Sequence, residues 1–169
     1  MAIDGHLLFS SNGNVILCYE TALPEIYSLS ENDFEDLHSA WFQALKSLPT
    51  GCVVHKQDVY QKKIYDSDQL SRSTFLEKAT HKHFKGREYL QHTSYLFFIL
   101  TKNRTHGKYV NPFKKISKTL PTTLDDAVRS FSAAVEDAVS YINNTRKIAL
   151  NPLTPNQIAQ LTNSYFNGF

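Results

Sequence analysis

His55, Lys56, Gln57 and Asp58 place a base, a cation, an amide and a carboxylate on four consecutive positions. In an extended segment, alternation sends His55 and Gln57 to one face and Lys56 and Asp58 to the other. That splits base from acid, and no nucleophile with a defined partner accompanies them. The four therefore read as polar residues where a strand meets solvent, and as a candidate edge for binding a partner.

His81-Lys82-His83 is the nearest approach to a metal signature. On a helix, residues two apart point in different directions, so the two imidazoles do not readily share one ion. An extended His-x-His with a distant acid would bind a divalent metal beside a tyrosine nucleophile, as in single-strand nicking enzymes. Those enzymes carry a bulky apolar residue between the histidines, and Lys82 departs from that. A solvated helix surface is expected, with no metal. His38 lies beside an apolar helical stripe and reads as a hydrogen-bonded boundary residue.

The larger catalytic signatures are missing. No phosphate-binding G-x-x-x-x-G-K-[ST] loop, G-x-S-x-G elbow, H-E-x-x-H helix or C-x-x-C pair occurs in the chain. A self-contained enzyme of a common class is not expected, and no catalytic residue or cofactor is assigned.

The remaining chemistry is electrostatic. Lys102, Arg104, Lys108, Lys114, Lys115 and Lys118 are unopposed by any acid in a run poor in apolar residues, and Tyr109 and Phe113 interleave with them. Such a loop could grip a nucleic-acid backbone and stack a base. It could equally contact an acidic protein or anionic headgroups, or simply be solvated. A long structureless loop within a compact domain is uncommon, which marks this one for attention.

The elements that must position these residues follow from periodicity. Leu7-Leu8-Phe9 and Val15 to Glu20 flank the turn signal Ser10-Ser11-Asn12-Gly13-Asn14, predicting a hairpin. Ser30, with Asp33 three residues on, predicts the start of a helix whose stripe is Phe34, Leu37, Trp41, Leu45 and Leu48. Pro49 to Gly51 stops it, and a strand runs from Cys52 to about Tyr65. Residues 71–85 predict a second helix with Phe75, Leu76, Ala79 and Phe84 as its apolar face, stopped by Gly86. Residues 93–101 hold the most apolar run and predict a central strand buried on both faces. A third helix begins at Thr122 and Thr123 and carries Leu124, Val128, Phe131, Val135, Ala138 and Ile142. Residues 147–150 predict a short strand. Thr154-Pro155-Asn156-Gln157 then opens a last helix bearing Ile158, Leu161, Tyr165 and Phe166. The order ββαβαβαβα argues an α+β fold: a largely antiparallel sheet of about five strands with helices packed on it.

With 169 residues the chain fits a single domain, 1–169, able to bury roughly 70% of its unfolded surface. A net charge of +2 excludes a polycation built to coat nucleic acid. Cys18 and Cys52 sit in apolar runs and read as buried reduced thiols. Neither a membrane-spanning run nor a signal-peptide layout is visible, which predicts a cytoplasmic protein. The final helix ends on bulky aromatics with no polar tail, as though cut from a longer polypeptide.

The wording of the chain adds a resemblance. His38-Ser39-Ala40-Trp41, Ala44-Leu45-Lys46, Leu48-Pro49 and Val53-Val54-His55-Lys56-Gln57-Asp58 resemble the N-terminal domain of TraG-family conjugative transposon ATPases of Bacteroidetes. Phe75-Leu76, His83-Phe84, Arg87, Tyr89-Leu90, His92, Tyr95-Leu96-Phe97, Thr101 and Tyr165-Phe166 agree as well. The likeness covers nearly the whole chain and is weakest in the basic loop. It begins a little inside the family's usual N-terminus, so Met1 is expected to be an imposed start.

In that family a C-terminal P-loop ATPase assembles as a ring and powers type IV secretion during conjugation. The N-terminal portion docks on the inner-membrane machinery. The resemblance thus implies a non-catalytic docking and assembly domain, peripheral to the inner membrane, whose partners are inner-membrane components of the conjugation apparatus. The full-length parent is expected to be a homo-oligomer. His55, Lys56, Gln57 and Asp58, with the basic loop, are the expected contact surfaces. The rival expectation is a single-stranded DNA-binding module acting through that loop.

Overall fold

The computed structural model describes residues 2–66, 74–101 and 122–168, with the backbone alone for 26 and 122–125. Among the described residues the fold is α+β, as expected, with a six-stranded antiparallel sheet and four helices. The basic run 102–121 lies outside the described residues.

The hairpin forms as its turn signal dictates. Strands β2 (Leu7–Phe9) and β3 (Val15–Ala22) pair antiparallel, with Leu8 opposite Ile16. Between them the Ser10 N–H donates to the Asn14 carbonyl at 3.0 Å, and Gly13 takes a φ of 79° that a side chain would resist. A further strand, β1 (Ala2–Asp4), precedes them and pairs with β2. Its three residues are all exposed, so no hydrophobic alternation announced it.

Strand β3 is the hub. One edge pairs with β5 (Glu88–Leu100) from Val15↔Leu100 to Thr21↔Ser94. The other edge is shared end to end by β2, along Val15 to Leu17, and β6 (Ala149–Pro152), along Tyr19 to Ala22. The sheet runs β1-β2-β3-β5-β4, with β4 spanning Cys52–Ile64.

Alternation along β3 then decides two cores. Val15, Leu17 and Tyr19 face one side, where they bury Leu96, Phe98 and the helical residues Ala44, Phe131, Val135, Ala138 and Ile142. Those come from α1 (Glu31–Ser47) and α3 (Thr122–Asn143). Cys18 and Leu8 face the other side, against Leu153 and Ile158 of the segment entering α4 (Pro155–Asn167). Each fully buried large side chain contributes about 1.5–3 kcal/mol of transfer free energy. Phe98 and Phe131 at 1% exposure are therefore the largest single anchors of the first core.

Capping boxes start three helices. Ser30, Thr74 and Thr154 each accept from the backbone N–H three residues on, and the side chains of Asp33, Glu77 and Gln157 reach back to the cap N–H. The box at Thr74 was not read from the sequence, although it has the same spacing.

Four expectations need correction. In α1 the core side is Leu37 and Ala44 with Trp41 and Leu48 packed beside them, whereas Phe34 and Leu45 stand about half exposed. A stripe wide enough to include Phe34 and Leu45 overruns the contact with α3. Helix α2 (Phe75–Phe84) buries none of its residues, so its apolar positions do not face a core. Strand β5 buries Ser94, Leu96 and Phe98 on one face only, its other face being half-covered. The short strand after α3 is Ala149–Pro152 rather than 147–150, because Thr145 to Lys147 close the helix end through Thr145 hydrogen bonds.

The chain divides into two compact units: Met1–Gln57 with Ser94–Gly168, and Asp58–Thr93. The first holds both cores. Among the described residues of the second, none is buried.

Candidate functional site

The four polar residues on β4 lie within the strand, since it continues to Ile64. His55, in the first unit, sets its ring 5.9 Å from that of Phe97 at a 36° tilt. Gln57, also in that unit, lines a narrow apolar groove of about 160 Å³ beside Phe97, Ile158, Leu161, Tyr165 and Phe166. Lys56 is exposed and alternates to the opposite face. The dyad alternation expected from sequence therefore separates His55 and Gln57 from Lys56.

Asp58 belongs to the second unit and has a specific partner there. Its Oδ1 lies 2.9 Å from Nε2 of His92, and the two side chains are about one-third exposed. The His92 ring stacks on Tyr60 with centroids 4.6 Å apart and planes within 10°. A carboxylate and a ring face thus fix the orientation of this imidazole.

His81 and His83 are engaged separately. His81 shares a hydrogen bond through Nδ1 with the Tyr65 hydroxyl and stacks on that ring. His83 meets Phe84 edge-on at 5.0 Å. Among the described residues no group of three His, Cys, Asp or Glu could hold a metal ion. The six cations of the basic loop, Lys102, Arg104, Lys108, Lys114, Lys115 and Lys118, fall outside the described residues.

The second unit carries the largest feature that sequence reasoning misjudged. Phe75 is 87% exposed and Leu76 73%, and Tyr60, Ile64, Phe84, Tyr89 and Leu90 are exposed too. These are seven large apolar side chains left exposed among the described residues of this unit, and exposed apolar area is what marks protein interfaces. Charged groups lie nearby in the same unit: Arg87 lies 5.9 Å over the Phe84 ring, and Lys62 pairs with Glu88 at 2.6 Å. One signal was available in the sequence. At about 100° per residue, Phe84 falls roughly 180° around the helix from Phe75, so the apolar positions never formed one face.

The thiols take no part in this surface. Cys18 is buried, which pushes its thiol up to about 12, and Cys52 is half-buried and also raised by burial. Both are free and held as thiols, the inert state of structural cysteine.

An α+β domain with an antiparallel sheet and an apolar accessory unit is the class these observations define. Within it, residues 1–39 match a family model described as "Domain of unknown function, B. Theta Gene description (DUF3875)". The match covers β1 to β3 and the first half of α1. No curated protein matches the chain. Among the described residues no helix is long and apolar enough to cross a membrane.

Proposed function

We propose that the chain is a non-catalytic docking and assembly domain of a TraG-family conjugative transposon ATPase, working in type IV secretion. The observation that carries this reading is the second unit, Asp58–Thr93, whose described residues include seven exposed large apolar side chains and none that is buried. A surface of that kind gains free energy only when a partner covers it. The resemblance carried by the His38–Asp58 segment supports the family reading, and the match of residues 1–39 to a B. Theta domain of unknown function is compatible with its Bacteroidetes origin. In this reading the first unit is the scaffold, and inner-membrane components of the conjugation apparatus cover the second. His55 to Asp58 and the basic loop supply polar contacts.

The test is capture of purified inner-membrane components of the apparatus by the immobilised chain. Capture of at least one is expected, and Phe75→Glu with Leu76→Glu should lower it while the unfolding midpoint stays unchanged. Capture of none, or capture indifferent to both substitutions, overturns docking through this surface. Salt-sensitive retention of a single-stranded oligonucleotide, lost when Lys114, Lys115 and Lys118 become Ala, would replace docking with DNA binding.

A further inference from the structure

Among the described residues β4 ends the sheet, with no strand beyond it. In the second unit its residues 58–64 pair on the inner side with residues 88–93 of β5. One residue shows which peptide groups face outward. The Tyr65 N–H donates to the Arg87 carbonyl at 2.9 Å, and the Tyr65 carbonyl accepts from the Gly86 N–H at 3.0 Å, so Tyr65 turns its peptide groups inward. Tyr60 and His92 stack across the same two strands, and they stand equally far along each strand from Tyr65 and Arg87. No bulge therefore shifts the alternation between these positions. Tyr60, Lys62 and Ile64 turn their N–H and C=O groups away from β5.

This stretch is a ribbon of two strands, since the pairing of β3 with β5 stops at Thr21↔Ser94, and none of its described residues is buried. A two-stranded ribbon is marginal in water, and an outward row of peptide groups is a template for a further strand. Charge decides which strand fits. Opposed residues of an antiparallel pair share one orientation, so a two-fold axis relating two copies of β4 passes through a residue of the strand. An axis on Asp58 opposes two carboxylates, one on Lys62 opposes two ammonium groups, and one on Val59 sets Lys62 against Lys56. An axis on Gln61 sets Asp58 against Ile64. On Tyr60 the axis sets Asp58 against Lys62, twice by symmetry, with the two Tyr60 residues opposed. The contacts within one chain extend this match. Asp58 lies 2.9 Å from His92, and Lys62 lies 2.6 Å from Glu88. In the Tyr60 register the row across the two copies reads imidazole, carboxylate, ammonium, carboxylate, and no like charges meet. An axis on Gln57 also opposes unlike charges, Asp58 and Lys56, but it centres on the first unit, whose strands already have their core.

We propose that the outer edge of β4 in the second unit pairs antiparallel with the same edge of a second copy of this chain, about a two-fold axis at Tyr60. The outward N–H and C=O groups around Tyr60 form the ladder, and the two Asp58–Lys62 pairs fix its register. Two ribbons thereby become one four-stranded sheet. The pairing asks nothing of Phe75 and Leu76, which stay available for docking.

The experiment is sedimentation of the purified chain over a range of concentrations, with amide exchange read residue by residue. A reversible monomer–dimer equilibrium is expected, and the amides of Tyr60 and Lys62 should exchange more slowly as concentration rises. Those of Val59 and Gln61, which face β5, should change less. Asp58→Lys and Lys62→Asp each set like charges opposite one another and should each weaken dimerisation about tenfold. Mixed together, the two variants regain opposite charges at both positions and should pair as the wild type does. A wild-type chain that stays monomeric, with edge exchange independent of concentration, overturns the proposal. So does a dimer indifferent to Lys62→Asp, which is the result expected of an axis on Gln57, and so does a mixture of the two variants that stays monomeric. Edge exchange that slows only when inner-membrane components are added gives this edge to another protein and overturns self-pairing. Docking is read separately, through capture with Phe75→Glu and Leu76→Glu, so either result can fail while the other stands.

Discussion

Lys147 Nζ lies 2.7 Å from Oδ1 of Asp33, tying the turn after α3 to the first turn of α1. The same carboxylate accepts from the Ser30 backbone N–H at 2.8 Å, so one side chain serves a cap and a tertiary contact together. The hydrogen bond from Lys147, then those from Ser30, lower its pKa from 3.8 to about 2. A depressed carboxyl stabilises the fold above its unfolded value, and that contribution is lost as pH falls through the folded one. Denaturant midpoints of the wild type and Asp33→Asn should therefore differ at pH 7 and converge as pH falls from about 4 to about 2. A gap that persists undiminished in acid would show that the pair does not carry the difference.

Asn143 closes the edge of β6. Its Oδ1 accepts from the Leu150 N–H at 2.7 Å, and its Nδ2 donates to the Leu150 carbonyl at 3.3 Å. Leu150 is 2% exposed, so losing both partners leaves backbone polar groups poorly satisfied. Asn143→Ala should cost about 1–3 kcal/mol in chemical denaturation. Asn143→Asp keeps the acceptor and should cost less.

The two units predict opposite responses to the same truncation. Phe131→Ala removes a side chain that is 1% exposed and should cost about 3–5 kcal/mol. Phe75→Ala removes one that is 87% exposed and should stay within about 0.5 kcal/mol. A large loss at Phe75, read by thermal or denaturant unfolding, would mean that α2 is packed in solution.

Thiol chemistry should follow burial. At pH 8 both thiols are protonated in the fold, Cys18 most strongly with a value of about 12. A disulfide reagent should modify Cys52 slowly and Cys18 only as fast as the chain opens. Equal rates for the two in the native state would contradict the buried position of Cys18.

Thr154→Ala removes the side chain that accepts from the Gln157 N–H at the start of α4. A loss of about 1 kcal/mol is expected. The larger consequence should be increased exchange of the α4 amides, since only Ile158 of that helix is buried.

Local signals were legible wherever a few neighbouring residues settle the structure. Ser10 to Asn14 announced the hairpin, Ser30 and Thr154 the caps, and Val128 to Ile142 the buried face of α3, because turn geometry and helical period act over one or two turns of chain. Both cores also follow from the alternation of Val15 to Glu20 once that strand is central. The candidate surfaces were less legible. Asp58 was read with His55, its sequence neighbour, but its partner is His92, 34 positions away. Phe75 and Leu76 look like core to any hydrophobicity count.

The sequence by itself determined the class of fold, the elements of the first unit and the resemblance carried by His38 to Asp58, since these rest on residue type and short spacing. Only the tertiary structure decided that α2 buries none of its own residues and that Asp58 holds His92. It also decided that β2 and β6 meet on one edge of β3. Each of these depends on which segments, distant in sequence, lie side by side. Burial is a property of that juxtaposition and not of the residue.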